Sequence, residues 1–164
     1  MFTIPSGFFN RYYDMCDLFL EDNHIGKLCT LYFSPVRNEC ANCVINHFGG
    51  VSTNIYRHGG PAPFQGSCPV CGGNGYREEE VSTNIRLRIY HEKKDWIKVS
   101  NILIPDAEVM IIGYATDLSN IRRANEIRLI SEQAGVDQRY QLAAEPFLHG
   151  FGHNRYFMAF LRRV

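Results

Sequence analysis

Two neighbouring segments decide the fold predicted for this chain: Cys68-Pro-Val-Cys71-Gly-Gly-Asn-Gly75 and Ile85-Arg-Leu-Arg-Ile-Tyr90. The first is a cysteine pair followed by glycines, which is typical of a tight turn that points two sulfurs at one ion. The second alternates apolar and charged side chains, which is typical of a β-strand buried on one face. The sequence therefore predicts a metal-binding segment that leads directly into a sheet.

A second pair, Cys40-Ala-Asn-Cys43, supplies two more thiols. Two Cys-x-x-Cys turns give four ligands, enough for a tetrahedral zinc site with no coordination position open to a substrate. We predict one structural Zn²⁺ per chain, bound by Cys40, Cys43, Cys68 and Cys71. Iron is the alternative metal, and disulfides are the alternative use of the thiols. Metal is favoured because four thiols in two short turns suit one ion, and because the sequence opens with no pattern typical of a secretory signal.

The stretch between the two pairs, 44–67, is rich in glycine and proline. It is too polar to fold on a hydrophobic core of its own, so we expect a metal to hold it together. Three segments follow from this: an N-terminal helix and first barrel strand over 1–34, a zinc-ribbon-like insertion over 35–80, and the remainder of a β-barrel over 81–164. A long inserted loop of this kind is typically exposed, and we expect it to serve as a docking surface.

Outside the insertion, the pattern begins helical and then becomes β. From Ser6, a plausible N-cap, to Asp22, apolar residues recur at spacings of three and four, which predicts an amphipathic helix. Strands are predicted at 27–33, 85–90, 96–99, 108–114, 125–130, 139–144 and 156–162, with turns at 101, 105–106, 117–119, 135 and 150–152. Many short strands with little helix predict a mainly β fold, a small antiparallel β-barrel or sandwich.

Composition and motifs give little support to catalysis. The 164 residues carry 17 basic and 17 acidic side chains, and no apolar run reaches the length of a membrane span. The sequence has no nucleophile elbow, phosphate-binding loop or zinc-protease motif, so we expect a protein that is not an enzyme and has no catalytic residue. His149 and His153 flank a flexible segment, and we expect them to face solvent or pack. We expect Cys16 and Cys29 to be buried free thiols.

Several motifs resemble those of a group of tailed-bacteriophage proteins, mostly labelled as virion structural or head-to-tail joining proteins. They are Cys40-Ala-Asn-Cys43, Gly59-Gly-Pro-Ala-Pro-Phe64, Cys68-Pro-Val-Cys71-Gly-Gly-Asn-Gly75 and Gly150-Phe-Gly-His-Asn-Arg-Tyr156. The resemblance covers about residues 27–164. It implies a head-closure or connector protein of the virion neck, with the four cysteines as metal ligands and no catalytic residue.

The same resemblance implies partners and a location. Such a protein is assembled in the host cytoplasm and forms a homo-oligomeric ring in the virion. The ring contacts the portal or adaptor on one side and the tail terminator or tail tube on the other. It allows nonspecific contact with packaged DNA and has no membrane partner.

A second class of function is a zinc-ribbon protein that binds nucleic acid and regulates its use. Charge distinguishes the two classes, because DNA-binding ribbons carry basic residues on or beside the ribbon. Between Arg37 and Glu80 the basic residues are Arg37, Arg57 and Arg77, and the segment ends in three consecutive glutamates. The acidic run opposes phosphate binding and favours the structural class.

Overall fold

The structure, a computed structural model, describes residues 6–22, 25–46, 48–100, 104–130, 137–150 and 154–164. The described residues form two compact units. Those of Met1–Phe33 and Ser82–Val164 form one, the barrel unit, and those of Ser34–Val81 form the other, the cysteine unit. Strand residues outnumber helix residues about two to one among the described residues, which confirms the prediction of a mainly β fold.

Eleven strands and three α-helices make up these units. The strands are β1 (Gly26–Tyr32), β2 (Val36–Glu39), β3 (Cys43–Asn46), β4 (Val51–Tyr56), β5 (Tyr76–Glu79), β6 (Ser82–Tyr90), β7 (Val109–Tyr114), β8 (Glu126–Ile130), β9 (Asp137–Leu142), β10 (Phe147–His149) and β11 (Tyr156–Arg163). The helices are α1 (Ser6–Glu21), α2 (Lys93–Ser100) and α3 (Leu118–Arg123), the last preceded by a 3₁₀ turn at Ala115–Asp117.

Six strands of the barrel unit close into an antiparallel barrel in the order β1-β6-β7-β11-β9-β8, with β8 returning to β1. Closure depends on β11. Its residues from Tyr156 to Leu161 pair with β7, and its residues from Leu161 to Arg163 pair with β9. Because closure leaves no edge strand within the ring, its backbone hydrogen bonds are satisfied internally. Strand β10 pairs with β11 outside the ring. The prediction of a small antiparallel barrel or sandwich with an N-terminal helix is confirmed, and the barrel is the form that the structure has.

The barrel interior is filled by inward-facing aliphatic and aromatic side chains. The alternation seen in the sequence of β6 places Ile85 and Leu87 in this core, together with Leu31 of β1. Strand β11 is buried on both faces from Tyr156 to Leu161. Phe157, Ala159 and Leu161 of β11 point into the barrel, while Met158 and Phe160 lie in a second cluster.

Two helices cover the outer faces of the barrel strands. Trp96 of α2 is fully buried against Phe160, with ring centroids 5.6 Å apart, and its indole Nε1 donates a hydrogen bond to Tyr90 O at 2.9 Å. Helix α1 packs its inner face on β11 through Tyr13, whose ring lies 6.0 Å from that of Tyr156. The Tyr156 hydroxyl donates to Asp17 Oδ1 at 2.7 Å, which fixes the helix by a polar contact as well as an apolar one.

Two local predictions are wrong. Residues 96–99, predicted as a strand, lie in helix α2, because the indole of Trp96 is buried against a core that needs a covering helix. Residues 117–119, predicted as a turn, belong to the 3₁₀ turn and to α3, whose Leu118 and Ile121 pack into the barrel core. Of the free thiols, Cys29 is buried and Cys16 is half-buried.

The predicted turns at 101, 135 and 151–152, together with His153, lie outside the described residues. None of the helices that the structure describes is both long and apolar enough to cross a membrane.

Candidate metal centre

The four paired cysteines converge within the cysteine unit. Cys40 Sγ lies 3.9 Å from Cys68 Sγ, Cys43 Sγ lies 3.7 Å from Cys71 Sγ, and all four sulfurs lie within 4.8 Å of one another. Four sulfurs placed tetrahedrally at about 2.3 Å from an ion are separated by about 3.8 Å, so the spacing fits a four-sulfur metal site. It does not fit disulfides, whose sulfurs are about 2.05 Å apart, and all four cysteines are free.

Short backbone hydrogen bonds hold the two cysteine turns against each other. Cys40 N donates to Gly75 O at 2.9 Å, which joins the first turn to the glycines after the second. Within the second turn, Gly72 N donates to Cys68 O at 2.9 Å, and Gly75 N donates to Cys71 Sγ at 3.3 Å. Backbone amides directed at sulfur stabilise thiolates, so the chain folds here in a form suited to an ion.

Glycine is required at position 75. Its φ is +81°, a conformation that side chains rarely adopt, and a Cβ added there would lie 2.8 Å from Ser52 N. Any other residue would therefore strain the backbone and displace β4. This requirement explains why the second cysteine pair is followed by a glycine-rich segment.

Asn42 supports the centre and was not identified from the sequence. Its side chain is fully buried and donates to Ala62 O at 2.8 Å, while its Oδ1 accepts from Ala62 N at 2.8 Å. Its Nδ2 also lies 3.5 Å from Cys68 Sγ, in position to donate to the sulfur. Asn42 therefore connects the loop around Ala62 to a ligand. Its position inside the first Cys-x-x-Cys turn was the available signal, but that spacing gives no indication of which intervening residue turns inward.

The thiols of Cys68 and Cys43 differ in how readily they form thiolates. Burial raises the pKa of the Cys68 thiol, but hydrogen bonds from Asn42 and from the Cys71 and Val70 backbone outweigh it and lower the pKa to about 6. Burial raises the pKa of the Cys43 thiol to about 12. Cys68 therefore forms a thiolate more readily than Cys43 before an ion binds.

The cysteines are also most of the core of this unit. Among its described residues, the buried side chains are Cys40, Cys43, Cys68, Cys71, Ile45, Asn42 and Ser52. Phe64 packs beside the cysteines at partial burial, and Tyr56 meets it edge-on at 6.1 Å. A segment with a single buried aliphatic side chain has too little apolar burial to fold alone, which is the condition under which small domains use a metal.

An uncharged hairpin forms part of the cysteine unit. Strands β3 and β4 pair antiparallel, and residues 40–56 contain no aspartate, glutamate, lysine or arginine. Val44, Val51 and Ile55 are exposed along it, and Phe48 at its turn is fully exposed. Exposed large apolar side chains grouped without charge are typical of a surface that contacts another protein.

The structure brings all four predicted ligands together at this centre. Among the described residues, no other group of three or more histidine, cysteine or acidic side chains is close enough to hold an ion. His149 lies in the barrel unit, half-buried on β10, where burial lowers the pKa of its imidazole. It is therefore not part of the four-cysteine centre.

Comparison of this chain with protein-family models, with curated proteins and with solved structures gives no match.

Proposed function

We propose that this chain is a structural protein of the neck of a tailed-phage virion, where identical copies form a ring that joins the portal to the tail. One Zn²⁺ per chain, bound by Cys40, Cys43, Cys68 and Cys71, makes the cysteine unit rigid. The observation that carries the proposal is the buried four-sulfur centre in a unit that has almost no other core. The phage assignment itself rests on the motif resemblance given above.

The chemistry of the centre supports a structural role. Four protein ligands close the coordination shell of a tetrahedral ion, so no position remains for water or substrate. Each cysteine has at most 8% of its surface exposed, which keeps solvent from the sulfurs. Zinc is favoured over iron because it is the usual ion of a lone four-cysteine ribbon and changes neither charge nor geometry by redox chemistry.

The exposed hairpin supports a docking role. Phe48, Val44, Val51 and Ile55 present an apolar surface on a module whose shape an ion fixes. A docking surface that is ordered before contact loses less conformational entropy when it binds, so assembly is favoured. This is the physical advantage of placing an ion in the module, even though the ion performs no chemistry.

The charges of the cysteine unit argue against a zinc-ribbon protein that binds nucleic acid. Arg37 Nε donates to Glu78 Oε1 at 2.8 Å, so this cation is already paired with a carboxylate. The hairpin itself carries no lysine or arginine. A ribbon that binds phosphates by releasing counterions needs unpaired cations on its surface.

Native mass spectrometry of the purified chain tests the proposal by scoring metal content and oligomeric state together. We expect one zinc per chain and a closed ring. When a portal-type partner is added, we expect a complex with it. Cys68→Ser is expected to abolish zinc binding and assembly while the barrel unit stays folded, and Cys16→Ser is the matched control. A zinc-loaded monomer that shifts DNA at moderate salt would support the regulatory class, and full assembly by Cys68→Ser would refute the role given to the ion.

A further inference from the structure

A small cavity lies between helix α1 and the outer face of the barrel, beside the contacts that pack the helix on the strands. Its volume is about 170 Å³. Helix α1 contributes Tyr12, Cys16 and Phe19 to its lining, and the barrel contributes Arg88 of β6 and Ile112 of β7. An apolar cavity of about 150 Å³ is large enough to hold benzene. The space between α1 and the barrel therefore accommodates one six-membered ring or a branched chain of similar size.

One full positive charge lies in this otherwise mostly apolar lining. The Arg88 guanidinium carbon lies 4.8 Å from the ring centroid of Phe19 and 4.8 Å from that of Tyr90. Arg88 is half-buried. Across the part of the chain that the structure describes, the carboxylates in ion pairs are paired with other cations, and none is paired with Arg88.

Stacking between two rings orients the guanidinium and leaves its N–H edge available. That edge matches the two oxygens of a carboxylate, and such bidentate pairs are among the strongest hydrogen-bonded contacts in proteins. A partly desolvated cation with no anion of its own is also more attractive to a ligand anion than an exposed lysine or arginine is.

We propose that the cavity between α1 and the barrel binds a small monocarboxylic acid with an apolar body the size of one ring, whose carboxylate pairs with Arg88. The apolar body lies against Phe19 and Ile112. This site is in the barrel unit and is independent of the four-cysteine centre and of the proposed role in a virion.

His149 on the same lining supports an anion with a single charge. Burial lowers the pKa of its imidazole, so the ring is neutral near pH 7 and adds no second cation. It offers a hydrogen bond instead. A dianion would therefore meet only one opposing charge, which favours a monocarboxylate over a phosphate ester.

Benzoate is the probe that tests this site, and benzyl alcohol is its neutral counterpart of nearly the same shape. The assay is a titration of the full chain followed by the NMR signal of the Ile112 methyl groups. We expect saturable binding of one benzoate per chain, with benzyl alcohol binding about tenfold or more weakly because a charge-assisted contact is lost.

Two variants localise the binding. Arg88→Gln should weaken benzoate binding about tenfold or more, while Arg139→Gln, which removes the same charge from another barrel strand, should leave it within a factor of about two. Cys16→Leu should fill the cavity and abolish binding. Circular dichroism of each variant confirms that the barrel is folded.

Failure of benzoate to shift the Ile112 signal would overturn the site. Equal affinities for benzoate and benzyl alcohol would overturn the role of Arg88, and this comparison uses only the unaltered chain, so it stands even where a variant fails to fold. Unchanged benzoate binding by folded Cys16→Leu would overturn the location.

Discussion

If the four-cysteine centre binds the proposed ion, loss of that ion is expected to unfold the cysteine unit and leave the barrel unit intact. In the cysteine unit, Ile45 is the one buried aliphatic side chain among the described residues, and its burial stabilises the fold by about 2 kcal/mol. A structural zinc contributes about 10–16 kcal/mol of apparent binding free energy near pH 7. Because the binding free energy of the ion is several times larger than the stabilisation from burying Ile45, the metal-free cysteine unit should have no net stability. Cys68→Ser removes one of four ligands and should have the same effect as a strong chelator.

Hydrogen–deuterium exchange followed by mass spectrometry measures amide protection separately in the cysteine unit and in the barrel unit. Amides of β2, β3, β4 and β5 should lose their protection in Cys68→Ser or after chelation, while amides of β7 and β11 should keep theirs. Cys16→Ser is the control, since that thiol lies outside the centre. Native-like protection of β3 and β4 in zinc-free Cys68→Ser would refute the reasoning, because it would mean that protein contacts alone stabilise the unit.

Three further predictions test the hydrogen bonds of Asn42 beside the cysteines and the packing of the barrel. Asn42→Ala removes the hydrogen bonds to Ala62 and to Cys68 Sγ and should weaken zinc binding about 10–100-fold in chelator competition, whereas exposed Asn38→Ala should change it little. Trp96→Ala empties a fully buried site and should lower the free energy of unfolding by about 3–5 kcal/mol in urea titrations; a loss below about 1 kcal/mol would contradict its place in the core. Burial raises the pKa of Cys29 from 9.0 to about 12. The contribution of this thiol to the free energy of unfolding is therefore complete below pH 9 and is lost as the pH rises toward 12, at about 1.4 kcal/mol per pH unit. Cys29→Ala should remove this contribution from the pH dependence of the urea midpoint, measured by the fluorescence of the single tryptophan.

The β fold was predictable because alternation is a local signal. In β6, Ile85 and Leu87 turn inward as their spacing requires, and Arg86 between them does not reach the core. Helix α1 was predictable for the same reason, from apolar spacings of three and four. Helix α2 was not, because Trp96-Ile-Lys-Val99 also resembles a short strand and its helical state depends on packing against Phe160, distant in sequence. Short apolar runs of this kind cannot be assigned from their period alone.

The candidate centre was predictable to the level of its sulfurs and no further. Cysteine spacing identifies four side chains that meet, because two residues between thiols restrict a turn strongly. The contribution of Asn42 depends on where Ala62 lies, twenty residues away, and no local pattern records that distance. The short strands β2 and β5 were missed for a similar reason. Their residues are exposed apart from half-buried Tyr76, so they show no apolar alternation, and the two strands are about forty residues apart in the sequence.

The register of the barrel makes the cysteine unit a removable part. Tyr32 and Ser82 are paired neighbours in β1 and β6, so the chain leaves the barrel and re-enters it at adjacent points. Paired residues of antiparallel strands are separated by about 5 Å, a gap that a two-residue turn spans. Replacement of 33–81 by Asn-Gly would convert this long connection into an ordinary two-residue hairpin without altering any barrel pairing. A fold with this geometry can acquire, exchange or lose an inserted module by a single insertion or deletion, so the barrel and the inserted module can evolve at separate rates.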